Sequence, residues 1–96
     1  MIEVFWTKGA FNNLKNIFKY YTEADDEKLA SGVLQKIERS IIQLRQFPKL
    51  GRPGRVEGTR ELFVTQTPFA VIYRESDTKL EIVRILHSSQ KWPLSN

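Results

Sequence analysis

The spacing of hydrophobic positions changes several times along the chain, and each change marks an element. Ile2, Val4 and Trp6 alternate with Glu3 and Phe5, which predicts a short N-terminal strand with those three residues on one face. Phe11, Leu14, Ile17, Phe18 and Tyr21 then recur at helical spacing. They predict a first amphipathic helix over Lys8–Tyr21, with Gly9 weakening its start. Thr22–Asp25 reads as a loop, and Asp25, Asp26 and Glu27 stand where side-chain oxygens and negative charge favour a helix start. The second helix carries a stripe of Leu29, Val33, Leu34, Ile37, Ile41 and Leu44, widened by Ala30. Pro48 disfavours helix in the residue before it, so this helix ends by Phe47. The loop is short enough to predict an antiparallel helical hairpin.

Pro48–Gly58 reads as a loop, with Gly51, Pro53, Gly54 and Gly58 close together. Three β-prone segments follow, Arg60–Thr65, Phe69–Arg74 and Leu80–His87, divided by Thr67-Pro68 and Ser76-Asp77. Short turns between strands predict an antiparallel meander. Strict alternation along the last strand places Arg84 on the side of Leu80, Ile82 and Leu86. In the tail, Ser88–Asn96, Trp92-Pro93 is expected to pin the chain to the sheet. The expected fold is α+β: an N-terminal strand, an antiparallel helical hairpin on one sheet face, then a three-stranded meander. With 96 residues, a single domain over 1–96 is expected.

Composition narrows the chemistry. Hydrophobic residues are 41% and charged residues 27% of the chain, an ordinary globular balance. There is no cysteine, so a disulfide framework, a thiolate metal site and a cysteine nucleophile are excluded. His87 is the one histidine, which excludes a multi-histidine metal site. No cofactor or metal is expected. The longest apolar run, Phe69–Tyr73, is far short of the roughly 20 residues that span a bilayer. An acid at Glu3 and no apolar leader predict no secretory signal, and hence a cytoplasmic protein away from membranes.

The net charge is +4, and its placement matters more than its size. Residues 1–44 and 61–96 are each neutral. Residues 45–60 hold Arg45, Lys49, Arg52, Arg55 and Arg60 against Glu57 alone. Arginine suits bidentate contact with phosphate or carboxylate. Gly51-Arg52-Pro53-Gly54-Arg55 is not a P-loop, since it leads into a strand and lacks the Gly-Lys-Ser/Thr end. Two readings remain for it, a solvated basic turn and a contact patch for nucleic acid or an acidic protein surface.

His87 closes the last strand and is either a polar residue bonded to backbone or a general acid or base. Arg60, Arg74 and Arg84 lie on three strands. They can pair with Glu61, Glu75 or Glu81, or, together with His87, stabilise a pentacovalent phosphate without metal. Trp6 and Trp92 are read as packing residues, and an exposed Trp92 would instead be an interface anchor. Ser88-Ser89 has no partnered acid nearby, so a hydrolase triad is unsupported.

The strings Gly51–Leu62, Ile72-Tyr73-Arg74 and Ile82–His87 together resemble the RelE/ParE superfamily, toxins of type II toxin–antitoxin modules. The resemblance covers nearly the whole chain and implies the fold just described. It also implies a cognate antitoxin partner and a higher-order toxin–antitoxin oligomer. RelE-like members cut messenger RNA on the ribosome, whereas ParE-like members inhibit DNA gyrase. Laid over the RelE pattern, the two strand lysines fall at Glu61 and Phe63, the next arginine at Ala70 and the C-terminal arginine near Gln90. An acid, two apolar residues and an amide cannot hold a phosphate dianion. The expectation is therefore a ParE-like gyrase inhibitor without catalytic residues. Its target- or antitoxin-binding residues would be Arg52, Arg55, Arg60, Arg84 and Trp92. The alternative is a RelE-like ribosome-dependent messenger-RNA endoribonuclease using His87 with Arg60, Arg74 and Arg84.

Overall fold

The computed structural model describes residues 2–24 and 26–93. Strand β1 (Glu3–Trp6) leads into helix α1 (Lys8–Glu23), which is followed by helix α2 (Glu27–Gln46). A two-residue strand β2 (Arg52–Pro53) precedes β3 (Arg60–Phe63), β4 (Phe69–Glu75) and β5 (Lys79–His87). The sheet is mixed, in the order β1-β5-β4-β3-β2. The meander β3-β4-β5 is antiparallel as expected, while β1 runs parallel to β5, with Val4 opposite Leu80 and Trp6 opposite Ile82. The expected three-stranded meander is thus extended to five strands by β1 on one side and β2 on the other.

Cap chemistry sets both helix starts. Thr7 Oγ1 accepts the Ala10 N–H (3.0 Å) and donates to Val83 O (2.7 Å), which ties the first turn of α1 to β5. Asp26 Oδ1 accepts the Leu29 N–H at 3.0 Å and caps α2. Asp25, expected to share that role, lies outside the described residues. Glu27 in the first turn and Arg45 in the last complement the dipole of α2.

The main core lies between the hairpin and the sheet. It joins Ala10, Val33, Ile37, Ile41 and Leu44 to Val71, Tyr73, Leu80, Ile82 and Ile85. Leu14, Ile17 and Tyr21 of α1 pack against it, but Phe11 and Phe18 are 52% and 42% exposed and Leu29 of α2 is 47% exposed. Successive helical residues are turned by about 100°, so Phe18 leaves the core face that Ile17 occupies.

A second, smaller cluster covers the opposite sheet face, where Trp92 packs on Ile72, Val83 and Leu86. The tail is pinned there as expected. Central strand β4 is consequently buried on both faces, and this accounts for its unbroken apolar run Phe69–Tyr73.

One expectation is corrected by an irregularity between β4 and β5. Ile72 pairs with Arg84 but the next residue, Tyr73, pairs with Ile82, leaving Val83 as an extra residue. The bulge reverses the alternation. Leu80 and Ile82 face the helices, whereas Arg84 and Leu86 share the outer face with Ile72. Among the described residues no helix is long and apolar enough to cross a membrane.

Candidate functional surfaces

The basic segment is organised around one buried carboxylate. Glu61 is 1% exposed because β3 places it on the outer sheet face opposite Arg52 of β2. Arg55 donates to it three times: Nε to Oε2 at 3.2 Å, Nη2 to Oε1 at 3.2 Å, and backbone N–H to Oε2 at 3.0 Å. Arg52 Nη2 stands 3.7 Å from Oε1. Burial pushes the Glu61 carboxyl upward, but the Arg55 hydrogen bonds and the charges of Arg55 and Arg52 outweigh it and hold the group below the ordinary glutamate value. Both guanidinium groups remain half-exposed. The loop is therefore a preset arginine fork on a buried anchor, rather than a freely solvated turn. Glu61 escapes a reading by sequence segments because it lies one position beyond the basic stretch. The missing signal is the β2–β3 register.

Glycine backbone lets the loop close. Gly58 has φ +84°, a conformation that costs a side-chain-bearing residue. At Gly51 the N–H donates to Tyr73 Oη at 2.8 Å, and a Cβ there would come within 2.6 Å of that oxygen. Arg60 lies on the helix side of β3. Its Nη1 donates to Gly51 O at 2.8 Å, and its Nε stands 3.6 Å from Glu75. It stitches the loop to the sheet.

The outer face brings together arginines and aromatics that are distant in sequence. The Arg52 guanidinium lies 4.9 Å from the Phe63 ring centre, and that of Arg84 lies 5.9 Å from the Trp92 ring centre. Arg74 pairs with Glu81 at 3.5 Å. Arg84 also bends over the start of α1, since a Cβ on Gly9 would meet its Nη1 and Cζ. These atoms end a flexible side chain. Gly9→Ala is therefore expected to displace Arg84 from Trp92 with little loss of stability. Altered Trp92 indole NMR shifts at an unchanged melting temperature would show this, and unchanged indole shifts would refute it.

His87 occupies a different place. Its ring packs edge-on against Phe69, 5.7 Å between centres. It borders a cleft of about 490 Å³ with Asn13, Tyr20, Tyr21, Phe69 and Gln90. The Ser89 N–H donates to His87 Nδ1 at 3.1 Å, with Ser89 Oγ 2.7 Å from the same nitrogen. A backbone N–H can only donate, so Nδ1 is the acceptor and neutral His87 carries its proton on Nε2. Arg60 pairs with Tyr73 and His87 with Phe69; four residues along β4 separate them by about 13 Å. Arg74 and Arg84 lie on the other face. His87 and the three strand arginines are not brought into one constellation. Among the described residues no cluster of three or more His, Asp or Glu could hold a metal.

This fold matches known toxins. Residues 4–92 match the family model described as "ParE toxin of type II toxin-antitoxin system, parDE". A Sinorhizobium fredii protein described as "Putative toxin Y4kP" is 38% identical over 88 residues, covering 92% of this chain and 90% of its own length. The structure titled "Chromosomal ParDE TA system from P. aeruginosa" superposes with a TM-score of 0.81 at 28% identity, covering 91% of this chain and 96% of its own. YafQ from E. coli shares the fold alone, with a TM-score of 0.57 at 13% identity over 93% of this chain and 96% of its own. The chain belongs to the ParE toxin family of type II toxin–antitoxin systems.

Proposed function

We propose that this toxin acts by binding DNA gyrase in the cytoplasm, without a catalytic residue of its own, and that a cognate antitoxin neutralises it. The observation that carries the reading is the state of Glu61 and Phe63. In the RelE-like ribonuclease pattern that this chain resembles, both positions carry lysines that hold the phosphate. Here one is a buried carboxylate already paired with arginine, and the other is a phenyl ring beneath Arg52. The family match and the ParDE likeness support the same reading.

On this reading the half-exposed Arg52–Arg55 fork, Arg84 and Trp92 form the contact surface, with Arg60 holding the loop in place. Arginine and tryptophan are the residue types that dominate binding energy at protein interfaces. Purified toxin is expected to inhibit gyrase supercoiling and to raise gyrase-dependent DNA cleavage. No effect at high molar excess over gyrase would sink the proposal.

The cleft beside His87 favours a second reading, a metal-independent endoribonuclease acting on translated messenger RNA. There the Nε2–H would face the substrate, with Asn13, Tyr20 and Tyr21 around it. His87→Ala decides it: toxicity and message cleavage that survive the substitution remove this reading.

A further inference from the structure

The cleft beside His87 is polar without being charged. Asn13, Tyr20, Tyr21, Phe69 and Gln90 share its walls with the histidine, and among the described residues no Asp, Glu, Lys or Arg lines it. Its volume of about 490 Å³ lies within the range of small-molecule sites.

The fold has already used the acceptor of three of these side chains. Asn13 Oδ1 accepts the Ile85 N–H at 3.1 Å, and Gln90 Oε1 accepts the His87 N–H at 2.7 Å. Nδ1 of His87 accepts the Ser89 N–H. A backbone N–H only donates, so each contact fixes which end of the side chain is the acceptor. What remains to Asn13 and Gln90 is an NH2 group, and what remains to neutral His87 is Nε2–H. Side chains from α1, from the end of β5 and from the turn after it thus bring donors to one cleft.

A chain of rings forms the rest of the wall. Tyr20 packs edge-on against Tyr21 at 5.2 Å, Tyr21 against Phe69 at 6.5 Å, and Phe69 against His87 at 5.7 Å between centres. Tyr20 is 69% exposed, which leaves ring surface open to a planar ligand.

We infer that this cleft binds an uncharged, planar heterocycle rich in carbonyl acceptors, the chemistry of a uracil or thymine base. Neutral donors suit neutral carbonyl oxygens. A phosphate or carboxylate would find no cation among the described lining residues and would lose its hydration without compensation. A pyrimidinedione presents two carbonyls flanking a single N–H. The carbonyls match the donors of Asn13, Gln90 and His87. Asn16, which also borders the cleft, carries an amide oxygen for the N–H. The ring stacks on tyrosine as unpaired bases stack on aromatic side chains. A cytosine base replaces one carbonyl by an amino group and sets donor against donor.

The inference goes beyond both readings of the function, because holding a base requires neither gyrase nor a cleaved phosphodiester. The test titrates uridine into ¹⁵N-labelled full-length toxin at about pH 8, above the ordinary histidine value. The Asn13 and Gln90 NH2 signals are expected to shift saturably, with a dissociation constant below about 1 mM. Cytidine should bind at least tenfold more weakly, and inorganic phosphate should leave these signals in place. Asn13→Asp and Gln90→Glu keep an oxygen for the backbone N–H but lose the donors. Each should weaken uridine binding at least tenfold at an unchanged melting temperature, and Tyr20→Ala, at an exposed position, should weaken it through stacking. A short oligouridylate separates the two sources of the base. Tighter binding than uridine assigns a base in an unpaired strand, and equal binding per base assigns a free nucleoside.

The absence of saturable shifts at about 10 mM uridine overturns the inference. So does full-strength binding by the Asp and Glu variants, or equal binding of uridine and cytidine. The nucleoside comparison uses wild-type toxin and decides the matter whether or not a variant folds. Gyrase inhibition and message cleavage are separate measurements and bear on the target alone.

Discussion

Tyr73→Phe is expected to destabilise the fold by about 2–3 kcal/mol, although it removes one oxygen and leaves the ring in place. Tyr73 is fully buried. Its hydroxyl accepts the Gly51 N–H at 2.8 Å and donates to Pro48 O at 2.7 Å. It thus holds both the exit from α2 and the entry to the arginine loop against the central strand. Without it, the Gly51 N–H is left buried and unpaired, at a cost of about 1–3 kcal/mol, and a second hydrogen bond is lost. The half-buried Pro48 carbonyl can recover water, so the two losses do not simply add. For a chain of this size the melting temperature should fall by roughly 10 °C or more.

A pH series separates this role from simple packing. Burial raises the Tyr73 phenol above its ordinary value of 10.0; the Gly51 bond and the Arg60 charge oppose the shift, and Glu75 adds to it. Its contribution is complete below about pH 10 and is lost as pH rises through the folded value. Thermal unfolding between about pH 9 and 11 should show an alkaline loss in wild type that is reduced in Tyr73→Phe. Equal stability of the two proteins at neutral pH would refute the role assigned to the hydroxyl.

The elements that local pattern specifies were legible in the sequence, and those made by pairing at a distance were not. Leu14, Ile17, Val33, Ile37, Ile41 and Leu44 carry their helical period in adjacent turns, and Pro48 marks the end of α2. Strand β2 has two residues, Arg52 and Pro53, and is a strand only because Glu61 and Arg60 lie opposite. The parallel partner of β1 lies at the far end of the chain, in β5. The Val83 bulge leaves no mark in composition, yet it decides which face Arg84 shares with Trp92.

The surfaces divide in the same way. The charge count located the basic loop correctly but assigned Glu61 to the neutral segment after it. The arginine–aromatic pairs Arg52–Phe63 and Arg84–Trp92 exist only once the sheet and tail are assembled. His87 was legible as a candidate because it is the one histidine, but its separation from Arg60 could be read only from the register on β4.

The other large effect is an asymmetry between the two ends of the loop anchor. Arg55→Ala should cost more than Glu61→Gln, although both break the same contact. Removing the guanidinium leaves a buried carboxylate with the Arg55 backbone N–H and the more distant Arg52. Orphaning a buried charge costs about 3–5 kcal/mol when it is fully enclosed. Here Arg55 is half-exposed and Arg52 remains at 3.7 Å, so about 2 kcal/mol is expected. Removing the carboxylate charge instead releases two guanidinium groups into water, where they are readily solvated. The amide oxygen of the substituted side chain could still accept the Arg55 N–H, and a cost of about 1 kcal/mol follows.

The double variant should be no less stable than Arg55→Ala alone, because the charge that Arg55 compensates is gone. Acid titration gives an independent readout. Folded Glu61 titrates below the ordinary value of 4.5, so the unfolded chain binds the extra proton between the two values. The stabilisation is complete above about pH 4.5 and is lost as pH falls through the folded value. Wild type should lose that increment on acidification, and Glu61→Gln should lack it. Equal costs for the two single variants, or identical acid profiles, would show that the loop does not depend on its carboxylate. Arg52 and Arg55 would then be surface charges in the ordinary sense, free to be reversed in a binding assay. If the asymmetry holds, reversing Arg55 unfolds part of the surface it is meant to probe, and Arg52, the longer contact, becomes the position at which partner binding can be tested cleanly.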